Sequence, residues 1–250
     1  MPMTDFFELY DILIGGVTSD AVVTNTLCGE CWTAVETADH FGMAMTTPVD
    51  TAPRMLPGNY AGIALRELAA AAKSWNLTEA GFGMAAINAF YNTPQRLETL
   101  GAFEPFDNYC TDGLDLKDKT IGIIGHLNMP EHIRQQAKEI FILERNPRPG
   151  DYPDSACDFL LPKCDIVIMT ASTLVNKTLP HLLELCKNAY TILAGPSAPL
   201  CPELLDLGIH RIAGLVITDV NGMKNKITNE IPGPPYPMGK PFLLKRNCHE

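Results

Sequence analysis

Thr120-Ile-Gly-Ile-Ile-Gly-His-Leu-Asn128 is an apolar segment that runs straight into a short polar loop, and three later stretches repeat the pattern. Ile140-Phe-Ile-Leu143 opens into Glu144-Arg-Asn-Pro147, Asp165-Ile-Val-Ile-Met169 into Thr170-Ala-Ser-Thr173, and Tyr190-Thr-Ile-Leu-Ala194 into Gly195-Pro-Ser197. A helix-like stretch follows each loop. Alternation of strand and helix predicts a parallel sheet joined by right-handed crossovers. Such sheets bind ligands in the crevice beyond the carboxyl ends of their strands. The segments around residues 126, 144, 170 and 195 are therefore expected to converge on one small-molecule site.

Upstream the pattern changes. Residues 4–14 read as an amphipathic helix ended at Gly15-Gly16. Ala21–Thr24, Cys31–Glu36 and Gly42–Thr46, separated by turn residues, predict a three-stranded antiparallel meander. Two helices are expected next, Asn59–Ser74 and Thr78–Asn92, the second capped by Thr78. A polar, Asp-rich stretch at 101–119 marks the boundary between an α+β domain at 1–110 and an α/β domain at 111–250. Strand–helix alternation runs to about residue 227, and Ile231–Gly239 is too rich in proline for regular structure, so it predicts an extended strap.

A net charge of −10 argues against a nucleic-acid backbone or an anionic membrane as partner, because both require a cationic face. No run approaches 18 apolar residues, and no cationic segment precedes an apolar one at the N-terminus, so a cytoplasmic protein is expected. In that reducing setting the eight cysteines are read as thiols, with Cys157, Cys164 and Cys186 in the core.

The loops carry the candidate chemistry. A dinucleotide fingerprint starting at Gly125 would need glycines at 127 and 130, where Leu127 and Pro130 stand. NAD(P) is therefore not the expected cofactor, although Glu144 sits 19 residues after Gly125, where a ribose-binding carboxylate would be. Glu144 suits hydroxyl or amine donors, and Arg145 or Asn146 an anionic or carbonyl group. Thr170, Ser172, Thr173, Asn176 and Thr178 surround a predicted helix start, more hydroxyls than one N-cap needs. Gly195, Pro196 and Ser197 form a rigid turn with exposed backbone. His126, at the tip of the first parallel strand, is the candidate acid, base or metal ligand. Asn88 and Asn92 share one face of an apolar helix, and Asn88 there needs partners, either from the other domain or from a ligand between domains. Cys28-Gly-Glu-Cys31 has metal or redox spacing, but a zinc site needs four ligands and no second pair exists, so no metal set is assigned to Cys28 and Cys31.

Trp32-Thr-Ala-Val35, Ala85-Ala-Ile-Asn-Ala89 with Asn92, Ile124-Gly-His126, Glu144-Arg-Asn-Pro147, the Thr170–Thr178 segment and Gly195-Pro-Ser-x-Pro199 together resemble the putative heavy-metal chelatase family of bacteria and archaea. The resemblance covers nearly the whole chain. It implies a small domain similar to the enolase N-terminal domain followed by a Rossmann-like domain, with a site between them. It further implies a role in heavy-metal handling, or in making or binding a metal-chelating small molecule.

The expected protein thus holds a polar small ligand, a metal chelate or its organic precursor, in an interdomain cleft. Gly125, His126, Glu144, Arg145, Asn146, Thr170, Ser172, Thr173, Asn176, Gly195, Pro196 and Ser197 would line it, with Asn88 and Asn92 approaching from the other side. Two alternatives stay open: a metal-insertion protein using Cys28, Cys31 and His126, and a nucleotide- or SAM-type enzyme using Glu144. The expected partner is a small molecule, and self-association into a homo-oligomer stays open as well.

Overall fold

The computed structural model describes residues 6–18, 20–102, 111, 113–127 and 130–245. Helix α1 (Glu8–Gly16) leads into an antiparallel meander of β1 (Asn25–Cys28), β2 (Trp32–Glu36) and β3 (Phe41–Met45). Helices α2 (Leu65–Ala70), α3 (Leu77–Tyr91) and α4 (Pro94–Leu100) follow. Then come β4 (Thr120–Ile124), α5 (Glu131–Gln136), β5 (Glu139–Glu144), β6 (Tyr152–Pro153) and α6 (Cys157–Leu160). Strand β7 (Ile166–Thr170), α7 (Ser172–Val175), α8 (Leu179–Leu185) and β8 (Tyr190–Ala194) continue the alternation. The last elements are β9 (Arg211–Ile217), α9 (Val220–Thr228) and β10 (Gly239–Lys245).

The seven strands of the second sheet run in the order β10-β9-β8-β7-β4-β5-β6, all parallel except β10. The chain starts in the middle with β4, builds outward through β5 and β6, then returns to β7 on the other side. Sequence direction therefore reverses between β4 and β7, which is where an open parallel sheet has its crevice.

The predicted two-domain α/β fold is present, with local differences that have identifiable causes. The first strand of the meander is Asn25–Cys28, not Ala21–Thr24. Val23 N donates to Ile63 O and Leu65 N to Ala21 O, so the earlier stretch is engaged by residues 60–65. That pairing also delays the helix expected from Asn59, which starts only at Leu65. The cap of α3 is Asn76, whose Oδ1 accepts from Glu79 N at 3.0 Å, not Thr78. Helix α1 begins at Glu8, and residues 4–5 of the expected helix lie outside the described residues, as do 103–110 and 112 of the expected boundary stretch. The proline-rich tail contains a short 3-10 turn at Tyr236–Met238, and its end, Gly239, begins β10, which pairs antiparallel with β9.

Interdomain packing is extensive. Buried Leu9, Tyr10 and Leu13 of α1, and Met84, Ile87, Phe90 and Tyr91 of α3, belong to one hydrophobic cluster with Met169, Leu174, Val175, Leu193 and Leu204 of the second half. A second cluster joins Trp32, Ala34, Phe41 and Met43 of the meander to Met223 and Ile227 of α9. Close approach of β3 to α3 requires Gly42, where a Cβ would stand 2.1 Å from Ala89 N. Continuous apolar burial of this kind holds the two halves in one arrangement.

Candidate functional site

A cavity of about 580 Å³ lies at the carboxyl ends of β4, β5 and β7. Its floor comes from Ile124, Gly125 and His126 after β4, Leu143 and Glu144 at the end of β5, and Thr170 at the end of β7. Gly125 has a φ of +97°, and a Cβ there would meet Thr170 Cγ2 at 2.9 Å, so only glycine lets β4 turn away this close to β7. Met45, Thr46, Thr47 and Pro48 of the first half form the facing wall. The cavity is thus interdomain, at the point where the sheet order reverses.

The Glu144 carboxylate turns back on its own loop. It accepts from His126 N at 3.0 Å, Arg145 N at 2.7 Å and Asn146 N at 3.4 Å. Three amides take up most of the capacity that the sequence assigned to ligand hydroxyls. His126 Nε2 is hydrogen-bonded to Asp151 Oδ2, while Nδ1 lies 3.5 Å from Glu144 Oε2. Asp151 also accepts from Arg148 N at 2.8 Å. The His126 hydrogen bond, with that amide, holds the Asp151 carboxyl below the usual carboxylate range. Both ring nitrogens of His126 thus already face carboxylate oxygens. On the outer rim, His181 Nε2 pairs with Asp158 Oδ1 at 3.1 Å and Arg145 Nε with Asp154 Oδ2 at 3.7 Å.

The third wall is the segment after β7. Thr170 Oγ1 and Ser172 Oγ are 3.1 Å apart, and Thr173 Oγ1 donates to Thr170 O at 2.6 Å. Neither Ser172 nor Thr173 caps a helix: α7 has four residues, its N-cap is Ala171, and no side chain caps it. The expected anion-binding helix terminus is therefore replaced by a polar side-chain wall. Asn176 and Thr178 extend that wall, and between them Lys177 turns inward with a φ of +69°. Lys177 is 3% exposed; its Nζ donates to Val175 O at 3.0 Å and lies 5.2 Å from the centre of the Tyr10 ring. Burial pulls its amine down to about 8.

The residues expected to form the site separate into two groups. Gly125, His126, Glu144, Arg145, Asn146, Thr170, Ser172, Thr173 and Asn176 line the cavity. Asn88, Asn92, Gly195, Pro196 and Ser197 do not. Asn88 Nδ2 donates to Met43 O at 2.7 Å and Ser197 O at 3.0 Å. Asn92 Nδ2 donates to Ala198 O at 2.9 Å, and its Oδ1 accepts from Leu200 N at 2.8 Å. Ser197 Oγ accepts from Met45 N at 2.8 Å. The loop after β8 is engaged in clasping the first half and lies apart from the cavity wall where it was expected. The two asparagines do meet the partner domain, one of the two roles expected of Asn88.

Cys28 and Cys31 flank the β1–β2 hairpin turn, are exposed, and do not line the cavity. Among the described residues no three His, Cys, Asp or Glu side chains gather into a metal-holding group. The other core thiols match expectation: burial lifts Cys157 and Cys164 to about 11 and Cys186 to about 12. Among the described residues no helix is long and apolar enough to cross a membrane.

Asp151, Lys177, Asp158, His181 and Met45–Pro48 did not stand out in the sequence. The turn Pro149-Gly150, with Gly150 at a φ of +100°, hinted that Asp151 would be folded back, but nothing local named His126 as its target.

Two family models match the chain, both described as putative heavy-metal chelation, one over residues 112–231 and the other over 10–91. A crystal structure of a protein of unknown function from Desulfitobacterium hafniense, assigned to the family of the C-terminal match, superposes with a TM-score of 0.85 at 34% identity. That alignment covers 96% of this chain and 99% of that one. A second protein of unknown function from that family, from Pyrococcus horikoshii, superposes with a TM-score of 0.78 at 25% identity over 95% of this chain and 100% of that one. An uncharacterized protein of Methanocaldococcus jannaschii is 30% identical over 172 residues, 63% of this chain and 62% of the relative's length.

Proposed function

This chain belongs to the putative heavy-metal chelation family, and from that premise we propose that it binds a polar small molecule in the cavity between its two halves. The molecule belongs to the metal-chelating class, as a chelate or its organic precursor. The observation that carries this reading is the position of the cavity: it opens where the strand order of the mostly parallel sheet reverses, and it takes one wall from each half of the chain.

The residues present do not suit a bare metal ion. His126 and His181 each already face carboxylates, and no three-ligand set exists among the described residues. An organic molecule bearing several polar groups fits a cavity of about 580 Å³ far better. For the same reason the metal-insertion alternative through Cys28 and Cys31 gains no support. A nucleotide ribose would find one remaining acceptor position on Glu144, whose carboxylate already takes three backbone amides.

Native mass spectrometry of the purified full chain tests the proposal. The expected result is a retained organic molecule that is lost when Ser172→Leu fills the cavity. Retention at full stoichiometry in Ser172→Leu would place the molecule elsewhere and refute the assignment.

A further inference from the structure

The cavity presents hydrogen-bonding groups whose orientation is fixed by their own neighbours. Its deepest carboxylate, Glu144, accepts from three backbone amides, while Asp154 and Asp158 stand half-exposed on the rim beside Arg145 and His181. Asn176 Oδ1 accepts from Thr178 N at 3.1 Å and from Thr178 Oγ1 at 2.6 Å, and those two bonds fix which way the amide faces. A side-chain amide with its oxygen so held has two N–H donors at its open end. No hydrogen bond among the described residues uses Asn176 Nδ2, and the residue lines the cavity.

Charge points the same way. Arg145 stands on the wall with its guanidinium about half exposed and only one Nε contact, at 3.7 Å. Lys177, between Asn176 and Thr178 in sequence, is buried and directs its amine to Val175 O and the Tyr10 ring.

We infer that the ligand presents an anionic or carbonyl oxygen to the Asn176 side-chain amide, with Thr178 as the positioning residue that keeps the amide's donor side toward the cavity. The inference rests on the ligand-binding reading above and names its substrate class as acceptor-rich. Arg145 supplies the second donor group.

A matched pair of probes, benzoate and benzylammonium, separates the possibilities. Each is titrated by calorimetry into the full chain and into Asn176→Asp, Thr178→Val and Thr178→Ser, with amide signals of Thr46, Thr170 and Asn176 followed by NMR. Asn176→Asp keeps an oxygen for both Thr178 donors, so the loop stays folded while the N–H donors disappear. Benzoate is expected to bind in preference to benzylammonium and to weaken about tenfold or more in Asn176→Asp. Thr178→Val should weaken it also, and Thr178→Ser should restore it. Preference for benzylammonium, or benzoate affinity unchanged in Asn176→Asp, would overturn the inference and leave the cavity as a ligand site. If neither probe moved any of the three cavity signals, the proposed function itself would fall with it.

Discussion

Replacing Lys177 with methionine should make this protein more stable at neutral pH. Lys177 is 3% exposed, and its amine has a pKa pulled by burial from the ordinary 10.5 down to about 8. That gap corresponds to about 3 kcal/mol of penalty for the charged form in the folded state. Methionine has similar length, carries no charge and accepts the same apolar surroundings. It forfeits the bond to Val175 O, worth about 1 kcal/mol. The left-handed backbone at this position is common to both proteins and cancels. A net gain of about 2 kcal/mol should raise the melting temperature by about 4–8 °C for a chain of this size.

The pH dependence follows from linkage. Because the folded value lies below the unfolded one, the unfolded chain binds more protons between about 8 and 10.5. Stability of the parent therefore rises with pH through that window relative to the variant, while below it the difference is constant. Paired thermal melts by circular dichroism, at neutral pH and near 10.5, should show the variant's advantage shrinking toward zero. A variant that is destabilised at neutral pH, or a difference that does not change with pH, would mean that the Lys177 charge is compensated in the folded protein.

Glu144→Ala removes the acceptor of three loop amides and should lower stability by about 1–3 kcal/mol in denaturant titrations, with Glu144→Gln recovering part of it; superimposable transitions would show that water replaces the carboxylate at no cost. Asn92→Ala leaves Leu200 N, Ala198 O and Leu215 O without their partner inside the domain interface, and is expected to cost about 2–4 kcal/mol by the same measurement. Asp151, held low by His126, contributes stability that is complete above the ordinary value of 3.8 and fades as pH falls through its lower folded value. Carboxyl ¹³C NMR should place its midpoint below 3.8 and show it rising in His126→Ala; an unmoved midpoint would dissociate the pair.

Period and punctuation in the chain were enough to reveal the parallel sheet. The runs at 120–124, 140–143, 166–169 and 190–194 are apolar because both faces of each strand are covered, and that requirement is local and visible in any single segment. The loops that follow them were visible for the same reason, since polar residues cannot continue a doubly covered strand. Two kinds of information were not local. Asn88 and Asn92 look alike in sequence to ligand-facing amides, yet they bond carbonyls of the loop after β8, more than 100 residues away. Asp151 reaches His126 only because β5 and β6 set their connecting loop beside the tip of β4. Which polar groups line the cavity and which clasp the other half of the chain depends on partners brought together by strand order and domain packing. No window of residues contains those partners, so the cavity wall and the clasp could be told apart only after the chain was folded.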